Sequence, residues 1–265
     1  MNNFYLTLKL IHIKYIFMWI GIIFILIIVL LPFSWIIKNS FIINNDFSLL
    51  NYYRIFDKTI FFKYIFNSLF VTLFCILLTL PIALLSSYAL VRFDFTLKRY
   101  SVLLLILPLI PPISILVPII ILFNKLNLFD TLFSVVVMNL LFNLPFVIWM
   151  LRNYIISIPL DIEEVGLIEG CNYFSLLTKI TIPLIKPGLI AVSVYLFISV
   201  WNNYLFAFAF IASPEKRLIS QMFQSWGSNY GGLFASSIIC MLPPTIIFLF
   251  FQKWLINNLN LYWNQ

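Results

Sequence analysis

The sequence predicts an all-α membrane protein with six transmembrane helices and a cytoplasmic helical loop between the fourth and fifth. Three observations carry this. Hydrophobic residues fill 63% of the 265 positions and charged residues only 9%, against roughly 45–50% and about 25% in soluble domains. A soluble globule so poor in charge could not cover its own surface, and disorder requires the opposite balance. Six runs contain no Asp, Glu, Lys or Arg: 15–37, 64–91, 100–124, 131–151, 187–214 and 218–252. Each exceeds the ~20 apolar residues that cross a bilayer as a helix. None of the runs alternates with period two, as the strands of a membrane barrel would.

Trimmed at their ends, the runs place spans at 15–37, 66–90, 101–123, 132–151, 188–211 and 233–256. Lys9 and Lys14 precede the first span like a signal-peptide n-region. Its apolar stretch is longer than the usual ~7–15 residues, however, and no small-x-small cleavage site follows Pro32, so it is a retained helix. The third span holds Pro108, Pro111, Pro112 and Pro118. Each lacks a backbone donor, so this span is not a plain straight rod. Pro81, Pro145, Pro243 and Pro244 interrupt other spans, as kinks in packing or as breaks along a pathway. Ser220 to Gly232 is polar and forms a loop before the last span. The chain therefore divides into 1–65 (first span and outer loop), a core of 66–256, and an Asn-rich tail, 257–265.

The net charge of +7 is spread between apolar runs and forms no stripe, so it belongs to loops and snorkelling side chains and calls for no nucleic acid. The segment 91–100 carries three basic residues and 124–130 carries one. That bias puts both termini in the cytoplasm. Cys75, Cys171 and Cys240 have no metal-ligand spacing and are odd in number.

The loop Ile158–Asn172 stands apart. It holds Asp161, Glu163, Glu164 and Glu169, four of the nine acidic residues. Asp161 is placed to cap a short helix, with Glu164 three residues on in the capping-box position. Ile162, Val165 and Ile168 form an apolar stripe, Gly170 permits a sharp turn, and Asn172 caps a second helix carrying Phe174, Leu177 and Ile180. Pro183 and Pro187 end that helix before the fifth span. Two short helices with one acidic and one apolar face suit docking into a groove on a soluble partner. The alternative is a hairpin lying on the membrane surface, which the negative inner leaflet disfavours for acidic residues.

Glu164-Val165-Gly166, three residues, Gly170, nine residues, Ile180, one residue and Ile182-Pro183 resemble the EAA motif, E-A-A-x3-G-x9-I-x-L-P, of ABC-transporter permeases. Val165 and Gly166 replace its alanines and Ile182 its leucine. Asn67-Ser68-Leu69, Tyr88-Ala89-Leu90-Val91-Arg92-Phe93, Asp130-Thr131, Leu151-Arg152, Trp201-Asn202-Asn203-Tyr204-Leu205, Leu242-Pro243-Pro244 and Gln252-Lys253-Trp254 resemble, in order, segments of binding-protein-dependent sugar permeases. The resemblance is to the second, six-helix permease of the maltose type and its glycerol-3-phosphate counterpart. The glycine-rich ending of that family is absent.

The resemblance implies a type I ABC importer permease in the cytoplasmic (inner) membrane. Its partners would be an ABC ATPase dimer, a second, non-identical permease, an extracytoplasmic solute-binding protein and membrane lipid. It implies that Glu163, Glu164, Gly166, Gly170, Ile180 and Pro183 form the ATPase-coupling element. Trp201, Asn202, Asn203 and Tyr204 then either touch a sugar or pack between helices. No enzyme activity and no cofactor are expected. The chain has no P-loop sequence, its single His12 cannot build a triad or metal site, and no span carries a carboxylate for proton coupling. Glycerol 3-phosphate transport and a stand-alone channel or facilitator are the competing readings.

Overall fold

A computed structural model describes residues 2–43, 46–56, 59–96, 98, 101, 106, 108–226 and 229–263. It is helical nearly throughout, and two compact units divide it: 1–57 with 226–239, and 58–225 with 240–265.

In the first unit, α1 (Asn2–Ser40) is one long helix. It is followed by an antiparallel pair, β1 (Ile42–Ile43) with β2 (Asp46–Phe47), and by α2 (Leu50–Phe56). The pair and α2 fall inside the expected outer loop. Asn51 Nδ2 donates to the Ser40 carbonyl at 2.9 Å, and the Ser40 and Tyr52 hydroxyls bond at 2.7 Å, which ties α2 to the end of α1.

The second unit is built on α3 (Thr59–Arg92), α5 (Leu132–Ile156) and α9 (Lys186–Trp201). Three apolar layers stack along these helices. One joins Val71 and Cys75 to Val135, Met138, Val200 and Phe206. The next joins Ala83 to Val147, Leu151, Val192 and Leu196. The third joins Tyr88 to Ile155, Ile158, Leu177 and Ile185. The residue order shows that α3 and α5 run parallel and α9 antiparallel to both. A parallel pair needs a returning connection, and α4 (Pro112–Lys125) lies within it.

Among the described residues four helices are long and apolar enough to span a membrane: Met18–Ser40 within α1, Ile60–Arg92, Leu132–Ile156 and Tyr230–Gln252 within α11 (Tyr230–Trp263). Two expected spans differ from plain rods. In the third, 101–123, the described α-helix begins at Pro112, where Pro111 fixes the entry and Pro112 fills a first-turn position that needs no donor. Residues 102–105 and 107 of that span lie outside the described residues. The fifth, 188–211, is broken into α9 and α10 (Tyr204–Phe210). Asn203 leaves helical geometry at ψ 91° and caps α10 by accepting the Phe206 N–H at 3.1 Å.

Candidate functional site

The segment between α5 and α9 folds as a helical hairpin. Pro159 occupies the cap position of α6 (Leu160–Ile168), at φ −56°. The helix therefore begins before Asp161, which sits in the first turn and makes no capping hydrogen bond, contrary to the expected capping box. Its charge still faces the positive helix end. Gly170 ends α6 at φ +91°, where a side chain would be strained. The Gly170 N–H donates to the Leu167 carbonyl and the Cys171 N–H to the Gly166 carbonyl, both at 3.0 Å. This is the paired ending typical of a glycine-terminated helix.

Asn172 then caps α7 (Tyr173–Leu176), accepting the Ser175 N–H at 2.8 Å as the sequence suggests. A π-helical turn, Leu177–Thr181, carries the second arm into α8 (Ile182–Leu184). Pro183 has no N–H for the helical ladder, and the preceding turn is widened. The arm bends by 76° into α9 at Ile185, and Pro187 lies in the first turn of α9.

Gly166 lets the two arms cross closely. A Cβ there would lie 2.6 Å from Leu176 Cδ2 and 2.9 Å from Ile180 Cδ1. The opposite face is open. Ile162, Val165, Tyr173 and Pro183 are exposed, and Ile168 and Phe174 retain 86% and 71% of their accessible surface. Glu164, Glu169 and Asp161 are exposed as well.

Glu163 does not join them. Its side chain is 7% exposed and turned inward, onto Arg92 at the end of α3. Arg92 donates from Nε to Oε2 at 2.9 Å and from a terminal nitrogen to Oε1 at 3.0 Å. The Tyr88 hydroxyl donates to Oε2 and the Thr181 hydroxyl to Oε1, each at 3.2 Å. Arg92, Tyr88 and Thr181 were not singled out by sequence reasoning as site residues. Arg92 and Tyr88 were legible only as parts of the 88–93 segment that resembles sugar permeases, with no role attached.

The other candidates lie around the helix break. Trp201 is buried to 2% exposure, stacks on Phe197 and donates from Nε1 to the Cys240 carbonyl at 3.0 Å. Asn202 is exposed. Asn203 donates to Asn139 Oδ1 at 3.0 Å, Asn143 donates to the Asn139 carbonyl at 2.8 Å, and Ser199 donates to Asn143 Oδ1 at 2.8 Å. This amide ladder inside the bundle is internally satisfied, as buried polar groups must be. Tyr204 accepts from Gln224 Nε2 at 2.7 Å and its ring meets Phe208 and Phe223.

Beyond the start of α5, Asp130 at φ 57° accepts the amides of Ala212 and Ser213, both at 2.9 Å, and the Ser213 hydroxyl. Lys216 Nζ reaches the same carboxylate at 3.2 Å. Burial works to raise the Asp130 carboxyl, but these hydrogen bonds outweigh it and hold the group well below the usual carboxylate range. Asn67 Nδ2 donates to the carbonyls of Glu215 and Arg217 at 3.0 Å. Segment 212–217 is thus gripped by Asn67 and Asp130, and Ser68 accepts the N–H of Ile219 just beyond it at 2.7 Å. Among the described residues no cluster of His, Cys, Asp and Glu could hold a metal ion.

Residues 79–260 match the family of binding-protein-dependent transport system inner membrane components. The chain belongs to that family. The permease is 30% identical over 264 residues to the trehalose/maltose transport system permease protein MalG of Thermococcus litoralis, covering 93% of this chain and 95% of that protein. It is 32% identical over 215 residues to the arabinooligosaccharides transport system permease protein AraQ of Bacillus subtilis, covering 79% and 76%. Its fold is that of a chain in a bacterial ABC transporter that imports the acidic polysaccharide alginate. That match has a TM-score of 0.76 over 91% of this chain and 96% of that one, at 22% identity. The permease is therefore a multi-pass membrane transport subunit and not an enzyme, and its core has the type I importer fold.

Proposed function

We propose that the permease forms half of the pathway of an ATP-driven importer for a neutral sugar or oligosaccharide, and that its 158–187 hairpin docks into an ATPase subunit. The observation that carries this is the hairpin's exposed apolar face. Ile162, Val165, Ile168, Tyr173 and Phe174 are all exposed, as are Asp161, Glu164 and Glu169, on an element whose turn is made by Gly170 and whose inner side is anchored by Glu163. Such a surface, exposed apolar side chains interspersed with carboxylates, suits an interface with a soluble partner better than a place in lipid. In this reading Glu164 is offered to the ATPase from the exposed side of α6, Gly166 and Ile180 bring the two arms together, Gly170 makes the turn and Pro183 lies in the second arm.

In this reading both termini are cytoplasmic, and the 101–123 segment, including α4, completes six spans. The remaining partners are a second, non-identical permease, a second ATPase subunit and a solute-binding protein outside. ATP shifts the pathway between inward-facing and outward-facing forms only as far as it binds the closed ATPase dimer better; the hairpin carries that difference. Several relatives are named for sugar or oligosaccharide transport. The buried polar groups of α5 are Ser134, Asn139 and Asn143, a hydroxyl and two amides, which suit a neutral polyol better than glycerol 3-phosphate.

Cysteine crosslinking from Ile168→Cys in membranes holding the complete transporter tests the docking. An adduct with the ATPase subunit is expected. Crosslinks to lipid alone, or labelling of position 168 from outside the cell, would overturn the proposal.

A further inference from the structure

Glu163 is the hairpin carboxylate that turns away from solvent, and the groups it meets come from two other parts of the bundle, the end of α3 and the hairpin's second arm. Arg92 is the last residue of α3 and Tyr88 stands one turn before it. The same terminal nitrogen of Arg92 that reaches Glu163 also lies 3.3 Å from the Ile155 carbonyl and 3.2 Å from the Ile158 carbonyl, at the end of α5. Thr181, from the hairpin's second arm, closes the other side of the carboxylate. Both members of the ion pair are 7% exposed. One guanidinium therefore touches the ends of two membrane-spanning helices and the first arm of the hairpin at once.

The rest of this junction is Tyr88, Ile155, Ile158, Leu177 and Ile185. Apolar packing of this kind is non-directional and resists separation better than it resists rotation. A two-pronged Arg–carboxylate pair fixes both distance and angle. A lysine would supply charge without the fork.

We propose that Arg92 is a positioning residue for transport: it locks the angle of the docking hairpin to α3 and α5, so that displacement of the hairpin turns those helices and does not dissipate as rotation within the junction. The proposal rests on the reading of the hairpin as the ATPase-docking element.

The test uses the complete transporter in liposomes, comparing Arg92→Lys, Arg92→Gln and Glu163→Gln with the parent. Two quantities are read: solute imported per ATP hydrolysed, and the yield of the Ile168→Cys crosslink to the ATPase. The crosslink is expected to persist while imported solute per ATP falls about tenfold in Arg92→Gln, within the usual span of coupling between sites, and by less in Arg92→Lys. Should Arg92→Gln fail to assemble, the nearly isosteric Glu163→Gln still decides, with a fall in the same ratio expected. A parent-like ratio at intact crosslinking, or a loss of complex at unchanged ratio, would reduce Arg92 to a structural brace and overturn the proposal. Absence of the crosslink in the parent background would remove the docking reading itself, and this proposal with it.

Discussion

Replacing Glu163 by alanine is predicted to destabilise the permease far more than replacing its neighbour Glu164. Glu163→Ala deletes two charge-assisted hydrogen bonds from Arg92, at 2.9 and 3.0 Å, and two from the Tyr88 and Thr181 hydroxyls at 3.2 Å. It leaves a guanidinium buried to 7% exposure. Breaking one side of a buried pair costs about 3–5 kcal/mol. Arg92 keeps the Ile155 and Ile158 carbonyls as acceptors, which places the cost near the lower end, at about 3 kcal/mol. For a chain of this size that corresponds to a Tm lowered by roughly 6–12 °C. Glu164 is exposed, and its removal should stay within about 0.5 kcal/mol. Thermal unfolding of the purified complex in detergent, followed by the accessibility of a buried cysteine, reads both variants. Equal melting temperatures for Glu163→Ala and Glu164→Ala would refute the assignment of Glu163 as an internal anchor.

Three further outcomes are expected. Gly170→Ala forces a side chain into φ +91° and should cost about 1–2 kcal/mol, seen as faster proteolysis within the hairpin; an unchanged cleavage rate would contradict the turn geometry. A Cβ at Gly188 would sit on the Tyr154 ring, so Gly188→Ala should lower stability by about 1–3 kcal/mol through overpacking, and truncating Tyr154 in the same chain should recover part of that loss. The Asp130 carboxyl is held below its ordinary value, so its contribution is complete above the unfolded value of about 3.9 and is lost as pH falls below it. Asp130→Asn should therefore be less stable than the parent at pH 7, with the gap closing toward pH 3; a gap that widens on acidification would contradict the sign.

Much of the architecture was legible because lipid permits few solutions. Charge-free runs marked the helices, and the residue pattern of the acidic loop located the hairpin, its Gly170 turn and its Asn172 cap. What escaped the sequence depends on side-chain direction. Glu163 and Glu164 are adjacent and chemically alike, yet a step of one residue turns a helix by about 100°, enough to put one carboxylate inside and the other in water. The partner that decides the matter, Arg92, lies 71 residues earlier, and no local pattern links the two. The break in the fifth span was hidden for a related reason. Asn202 and Asn203 sit in an otherwise apolar run, and only the amide of Asn139 and the freed Phe206 N–H turn one of them into a helix cap. The capping box at Asp161 failed because Pro159 fixes the start of the helix earlier.

The most direct measurement is co-purification of the ATPase subunit with Ile168→Asp. This change puts a charge at the centre of the hairpin's apolar face, at a residue 86% exposed and remote from the fold's interior. The ATPase should be lost from the purified complex while the permease keeps its melting temperature. Retention of the ATPase at the parent ratio would contradict the idea that this face is where the motor is held.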